Sequence, residues 1–215
     1  MKQKYSVWLF LIMVLLIPAS IFAVVTWYES NESGLPVLGV PQIKNGKEVA
    51  HTIAPFQFMN EKGESIGLDK WKGNIVVADF FFTHCPSICP KMTANLKKVQ
   101  AAFAGDNHLL ISSFTVDPER DSTAQLAQYA KKFSLGTQNW DLLTGDKREL
   151  YKLARKSFLI VATDGDGGPD DFIHSDKLVL VDGQQRIRGY YSGTEATDIE
   201  QLIKDIKKLK KEKYY

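Results

Sequence analysis

Charge is missing from one end of this 215-residue chain: between Tyr5 and Tyr28 no side chain carries any. Most of that stretch is Val, Leu, Ile, Phe, Ala or Trp. Read as a helix at ~1.5 Å per residue it would extend ~36 Å, enough to cross a ~30 Å hydrocarbon core. Trp8, Trp27 and Tyr28 stand near its two ends, where amphipathic rings prefer the interface, and Pro18 is tolerable within a membrane helix. Two further absences bear on the segment. There is no Ala-x-Ala cleavage site, and the apolar run resumes after Ala19-Ser20 as Ile21-Phe22-Ala23-Val24-Val25. Both argue against a cleaved signal peptide, despite the basic start at Lys2 and Lys4. No cysteine follows that could carry a lipid. The expectation is an uncleaved anchor over residues 7–28. Lys2 and Lys4 precede it and Glu29 and Glu32 follow, so residues 1–6 should stay cytoplasmic. The bulk of the chain would then lie outside, in the periplasm where the cell has an outer membrane.

Net charge is also scarce, +2 at pH 7 from 27 basic and 25 acidic residues, and nothing in it suggests a nucleic-acid partner. The basic surplus sits near the end, in Lys204-Asp205-Ile206-Lys207-Lys208-Leu209-Lys210-Lys211-Glu212-Lys213. Ile199, Leu202, Ile203, Ile206 and Leu209 recur there at helical spacing, which reads as a terminal helix with a solvated basic face, a membrane-surface role for those lysines being the lesser alternative.

No internal repeat organises the rest. Residues 29–50 read as a tether, with Leu35-Pro36-Val37-Leu38-Gly39 as a docking patch, and residues 51–215 as one domain. Within it, 51–58 and 61–68 suggest a short hairpin, and the apolar runs 75–82 and 109–116 suggest buried strands. Helices are expected over 90–104, 121–133 and 146–157, with a short strand at 139–143. A polar loop over 163–171 leads to a hairpin of 177–182 and 187–191 and then the last helix. Strand and helix alternating, followed by a hairpin and a helix, imply an α/β fold: a parallel-containing sheet covered by helices.

Cysteine occurs only twice, in Phe82-Thr83-His84-Cys85-Pro86-Ser87-Ile88-Cys89-Pro90. Both sulfurs fall at a strand-to-helix turn, where unpaired backbone N–H groups and the helix dipole favour thiolate. In an oxidising compartment such a pair is poorly explained as core packing. Two thiolates can trade electrons as a disulfide or hold a soft metal ion. Cys-x-x-Cys is the usual exchange spacing. Cys-x-x-x-Cys puts the two Cβ atoms ~5–6 Å apart on one helix face, which suits two ligands on one ion. A disulfide would need adjustment towards a Cβ separation of ~3.8 Å. Spacing favours metal only modestly.

His174 stands at the end of the acidic loop, in Asp170-Asp171-Phe172-Ile173-His174-Ser175, just before the strand 177–182. In this fold class the segment leading into that strand comes close to the cysteine turn. Two thiolates and an imidazole match Cu(I), and Cu(II) with a fourth ligand, while zinc could bind the same set. His84 adjoins Cys85, but strand geometry would point it away. His51 and His108 look incidental, and the isolated Met59 and Met92 do not indicate a Met-rich site.

The segment 82–90 resembles the signature of the Sco/SenC family, copper chaperones of cytochrome c oxidase assembly. The likeness continues in Val116-Asp117-Pro118-Glu119-Arg120-Asp121-Ser122, in Leu142-Leu143-Thr144-Gly145, and in Ile173-His174-Ser175 before the strand ending Val181-Asp182-Gly183. It implies a thioredoxin-like fold and a copper site, Cu(I) or Cu(II), made of Cys85, Cys89 and His174. It further implies two partners: the copper-bearing subunit of cytochrome c oxidase, and a thiol reductant or copper donor protein. In thioredoxin-like oxidoreductases a cis-proline generally takes the place of His174. Ser87 departs from the family's common acidic residue between the cysteines. The rival function is a metal-independent thiol–disulfide oxidoreductase using the redox-active pair Cys85 and Cys89, with His174 incidental. A thiol peroxidase would need a suitably placed Arg, which is lacking.

Overall fold

The computed structural model describes residues 12–26, 34–44, 46–136, 138–160 and 175–212. It separates into two units, Met1–Gly34 and Leu35–Tyr215. In the first, residues 12–26 form helix α1, with every one of them exposed. Among the described residues no helix is long and apolar enough to cross a membrane.

The second unit is built on strand β5 (Ile75–Phe81), buried along its whole length. A run of Ile, Val, Ala and Phe, interrupted only by Asp79, is what a strand covered on both faces requires. β5 pairs in parallel with β6 (Leu109–Thr115), and β6 in parallel with β7 (Trp140–Thr144). On its other side β5 meets β8 (Lys177–Val181) antiparallel, and β8 turns back as β9 (Ile187–Ser192). The far edge is the hairpin β3 (Gln57–Asn60) and β4 (Ser65–Gly67), giving a seven-stranded order β4-β3-β7-β6-β5-β8-β9. The expected hairpin is present, shorter than its apolar pattern suggested.

Helices α2 (Ile88–Ala102), α3 (Thr123–Phe133) and α5 (Ala196–Leu209) cover one face, burying Leu96, Val99, Leu126, Leu202 and Ile206 against Val77, Ile111 and Leu180. The other face carries α4 (Lys147–Lys152), continued by a π-helical turn Leu153–Ser157, and a 3-10 turn Leu68–Trp71. Its centre is aromatic: Phe114 stacks on Phe80 at 5.2 Å between ring centroids and meets Phe158 at 5.6 Å and Trp71 at 6.2 Å. The α/β architecture expected from the sequence is therefore present, a mixed sheet with helices on both faces.

Residues 35–50 differ from the expected tether. They contain a two-stranded sheet, β1 (Gln42–Lys44) with β2 (Lys47–Val49), and belong with the compact unit that begins at Leu35 rather than at His51. Long-range polar bonds explain the difference. The Arg188 guanidinium, 3% exposed, donates to the Leu35 carbonyl at 2.5 Å, the Pro36 carbonyl at 3.1 Å, Asp182 at 2.9 Å and Glu212 at 2.6 Å. Glu212 also accepts from the Leu35 N–H at 2.7 Å. Leu38 then bridges to Ile187, at the end of the sheet where Val76 opposes Val181. That end is opposite to the one from which β5 runs into the cysteine turn.

Candidate functional site

β5 ends at Phe81 and α2 begins at Ile88, so Cys85 lies in the turn and Cys89 in the first helical turn. The helix starts two residues earlier than the expected Pro90. Proline is accepted there because a first-turn N–H has no intrahelical partner to lose. Ser87 occupies the N-cap position, yet its side chain makes no capping bond. The sulfur of Cys85 takes that place: it accepts the Cys89 N–H at 3.4 Å. Both cysteines are free thiols, 9% and 2% exposed.

Their acidities move apart. Burial pushes the Cys85 thiol up, but hydrogen bonds from the Cys89 backbone and thiol and from the backbones of Ser87 and Ile88 outweigh it, leaving Cys85 below the ordinary thiol range. Cys89 is driven well above that range, by burial first, then by its own bond to Cys85 and by the charges of Cys85 and Asp79. Of the two, the outer sulfur ionises more readily and the inner one less.

Two buried acids belong to the surroundings of the pair, and the sequence pattern singles out neither as a site residue. Asp79, within the apolar run of β5, is 3% exposed, and its acidity is weakened to about 7 by burial, partly offset by the Ser113 hydroxyl. Ser113 donates to Asp79 at 2.5 Å and accepts the Trp140 indole N–H at 3.0 Å. A carboxylate in an otherwise apolar strand was the available signal. Asp121 is fully buried and accepts from the Thr83 hydroxyl at 2.5 Å, the Thr83 N–H at 3.1 Å and the Thr115 hydroxyl at 2.5 Å. It ties the segment Val116–Ser122 to the turn that carries Cys85.

The competing histidines stand apart. His51 is buried with Nε2 2.7 Å from the Ser157 carbonyl oxygen, His108 lies beside Asn74, and His84 is turned towards Thr83 at 3.0 Å. Among the described residues no group of three or more His, Cys, Asp or Glu could hold a metal ion. His174 and the acidic loop lie outside the described residues.

A mixed sheet covered by helices, with a thiol pair where a central strand runs into a helix, defines a thioredoxin-like domain. The SCO1/SenC family model matches residues 44–211. The SCO1 protein homolog of Bacillus subtilis (strain 168) is 36% identical over 171 residues, covering 79% of this chain and 87% of that protein. A structure identifying a disulfide switch in BsSco, a member of the Sco family of cytochrome c oxidase assembly proteins, matches with TM-score 0.65 at 35% identity, over 75% of this chain and 95% of that one. ScoI of Bradyrhizobium japonicum, solved with copper bound, matches with TM-score 0.60 at 25% identity, over 74% and 99% of the two chains. The chain belongs to the SCO1/SenC family.

Proposed function

We propose that this protein is a membrane-anchored copper-binding protein, a metallochaperone and/or thiol reductase, for assembly of the copper site of cytochrome c oxidase. Copper, as Cu(I) or Cu(II), is its cargo, and Cys85, Cys89 and His174 are the donors. The observation that carries the reading is the pair of free thiols packed against each other at the start of α2, in a family with a copper-bound relative. Thiolates and an imidazole form a soft donor set suited to Cu(I). Support for His174 comes from its described neighbour two residues on. The Asp176 carbonyl accepts the Gly193 N–H at 2.7 Å, and the Gly193 carbonyl accepts Asn95 of α2 at 2.8 Å.

Anchoring through residues 7–28 is supported by the uncharged run from Tyr5 to Tyr28, by the exposed apolar α1, and by the lysines before and acids after it. The domain would then face the outside. The partners are the copper-bearing oxidase subunit and a thiol reductant or copper donor protein.

The opposed acidities of Cys85 and Cys89 favour a second activity at the same site. The Cys85 thiolate attacks a client disulfide and releases one client thiolate, forming a mixed disulfide. Cys89 then loses its proton to solvent and displaces the second client sulfur, leaving a Cys85–Cys89 disulfide. Two electrons pass to the client, and a dithiol reductant must return them.

Anaerobic Cu(I) titration of residues 30–215 tests the copper reading. Wild type should take up one equivalent, Cys85→Ser none, and His174→Ala one with clearly weakened affinity. Unchanged Cu(I) affinity in Cys85→Ser would sink it.

A further inference from the structure

The sequence pattern reads the lysines of the last helix as a solvated basic face, and the structure adds their setting. Lys204 and Lys207, both exposed, and half-buried Lys208 line the C-terminal half of α5 at helical spacing, and exposed Lys211, its N–H on the Lys208 carbonyl, extends the stripe in the turn just past the helix. None makes an ion pair among the described residues; Lys210, off the stripe, pairs with Asp106. The acids of this helix mostly turn inward instead. Asp198 accepts the Ser192 N–H at 2.7 Å, Asp205 the Tyr191 hydroxyl at 2.8 Å, and Glu212 the Arg188 guanidinium. Only Glu200 lies exposed beside the stripe. The outward face is therefore a concentrated positive field rather than a mixed one.

The second observation is where the chain joins the domain. The Leu35 N–H bonds to Glu212 and its carbonyl to Arg188, so the segment coming from the uncharged run is stapled to the same end of α5. Val37 and Val40, 42% and 74% exposed, follow at once. From Tyr28 to Leu35 the chain can reach no more than about 25 Å. That leash holds the stripe near any bilayer containing residues 7–28, at an effective concentration where weak attraction per lysine suffices.

We propose that the Lys204, Lys207, Lys208 and Lys211 face docks on anionic phospholipid headgroups of the membrane that holds the anchor. This rests on the anchoring proposed above. Docking there leaves the cysteine turn, at the opposite end of β5, directed to clients.

The full chain is reconstituted in vesicles of pure phosphatidylcholine or with about 30% phosphatidylglycerol, and lysine acylation rates are read by mass spectrometry, with exposed Lys131 of α3 as internal control. In anionic vesicles the four lysines should react at least about fivefold more slowly than in neutral ones, Lys131 equally, and about 0.5 M salt should restore the rates. Equal rates in both vesicles, protection that salt does not reverse, or equal protection of Lys131 would overturn the inference. Flotation separates the two readings. A chain that does not float with the vesicles sinks the anchoring and this docking together. One that floats with unprotected lysines sinks the docking alone.

Discussion

Asp79 is the residue whose chemistry is least expected from its setting. Unfolded, its carboxyl ionises near 3.8; folded, burial moves that to about 7, against the donation from Ser113. The folded state thus holds more protons between those values, so stability falls as pH rises through that window and levels off above it. The total change is roughly 4 kcal/mol at most. Asp79→Asn keeps the size and an acceptor for Ser113 without the charge. Urea unfolding of residues 30–215 between pH 4 and 8 should show that the variant has lost the downward slope that wild type retains. A parallel slope in both proteins would assign the pH dependence to other groups.

At the scale of elements, the structure depends on polar ties that bind segments distant in sequence. The Arg188 guanidinium lies among Asp182, Glu212 and the carbonyls of Leu35 and Pro36, joining β9, the turn that follows α5 and the first residues of the unit. Replacing it by Met fills the space but leaves Glu212 without its cation and Asp182 with Arg186 alone. Removing one member of such a network costs about 3–5 kcal/mol, far more than losing a surface pair. Arg188→Met should lower the urea midpoint accordingly, and proteolysis near Leu35 should speed up. A midpoint shift equal to that of Lys152→Met, whose ion pair with Glu149 is exposed, would refute this weighting. The start of α2 shows the same economy: Cys85 sulfur caps the helix that carries Cys89, so whatever alters the sulfur also alters the first helical turn.

For the molecule as a whole, the proposed copper site makes metal state and redox state exclude each other. Cu(I) held by Cys85 and Cys89 would need both sulfurs as thiolates, and a Cys85–Cys89 disulfide would remove them. Oxidised protein should bind no Cu(I), and dithiol treatment should restore one equivalent in an anaerobic titration. Full Cu(I) binding by disulfide-bonded protein would place the ligands elsewhere. Orientation is checked separately. Reporter fusions at Tyr215 should be active as exported enzymes and silent as cytoplasmic ones, because in the proposed anchoring Lys2 and Lys4 would hold the N-terminus inside. Mature protein beginning near residue 20 would instead reveal a cleaved signal.

The strands β5 and β6, the helices α2, α3 and α5, and the thiol pair at a strand-to-helix turn were all determined by the sequence itself. Periodicity, apolar run length and capping are properties of near neighbours, and near neighbours are what a linear reading sees. Only the tertiary structure decided the rest. That the compact unit begins at Leu35, inside the expected tether, depends on Leu35 and Arg188, 153 residues apart. That Asp121 clamps Thr83, and that Asp79 lies buried with a hydroxyl as its partner, depends on strands brought together by the sheet. The contrast between Cys85 and Cys89 has the same origin. Two identical side chains four residues apart differ because one sulfur meets the free N–H groups of a helix start and the other the dry core beneath it.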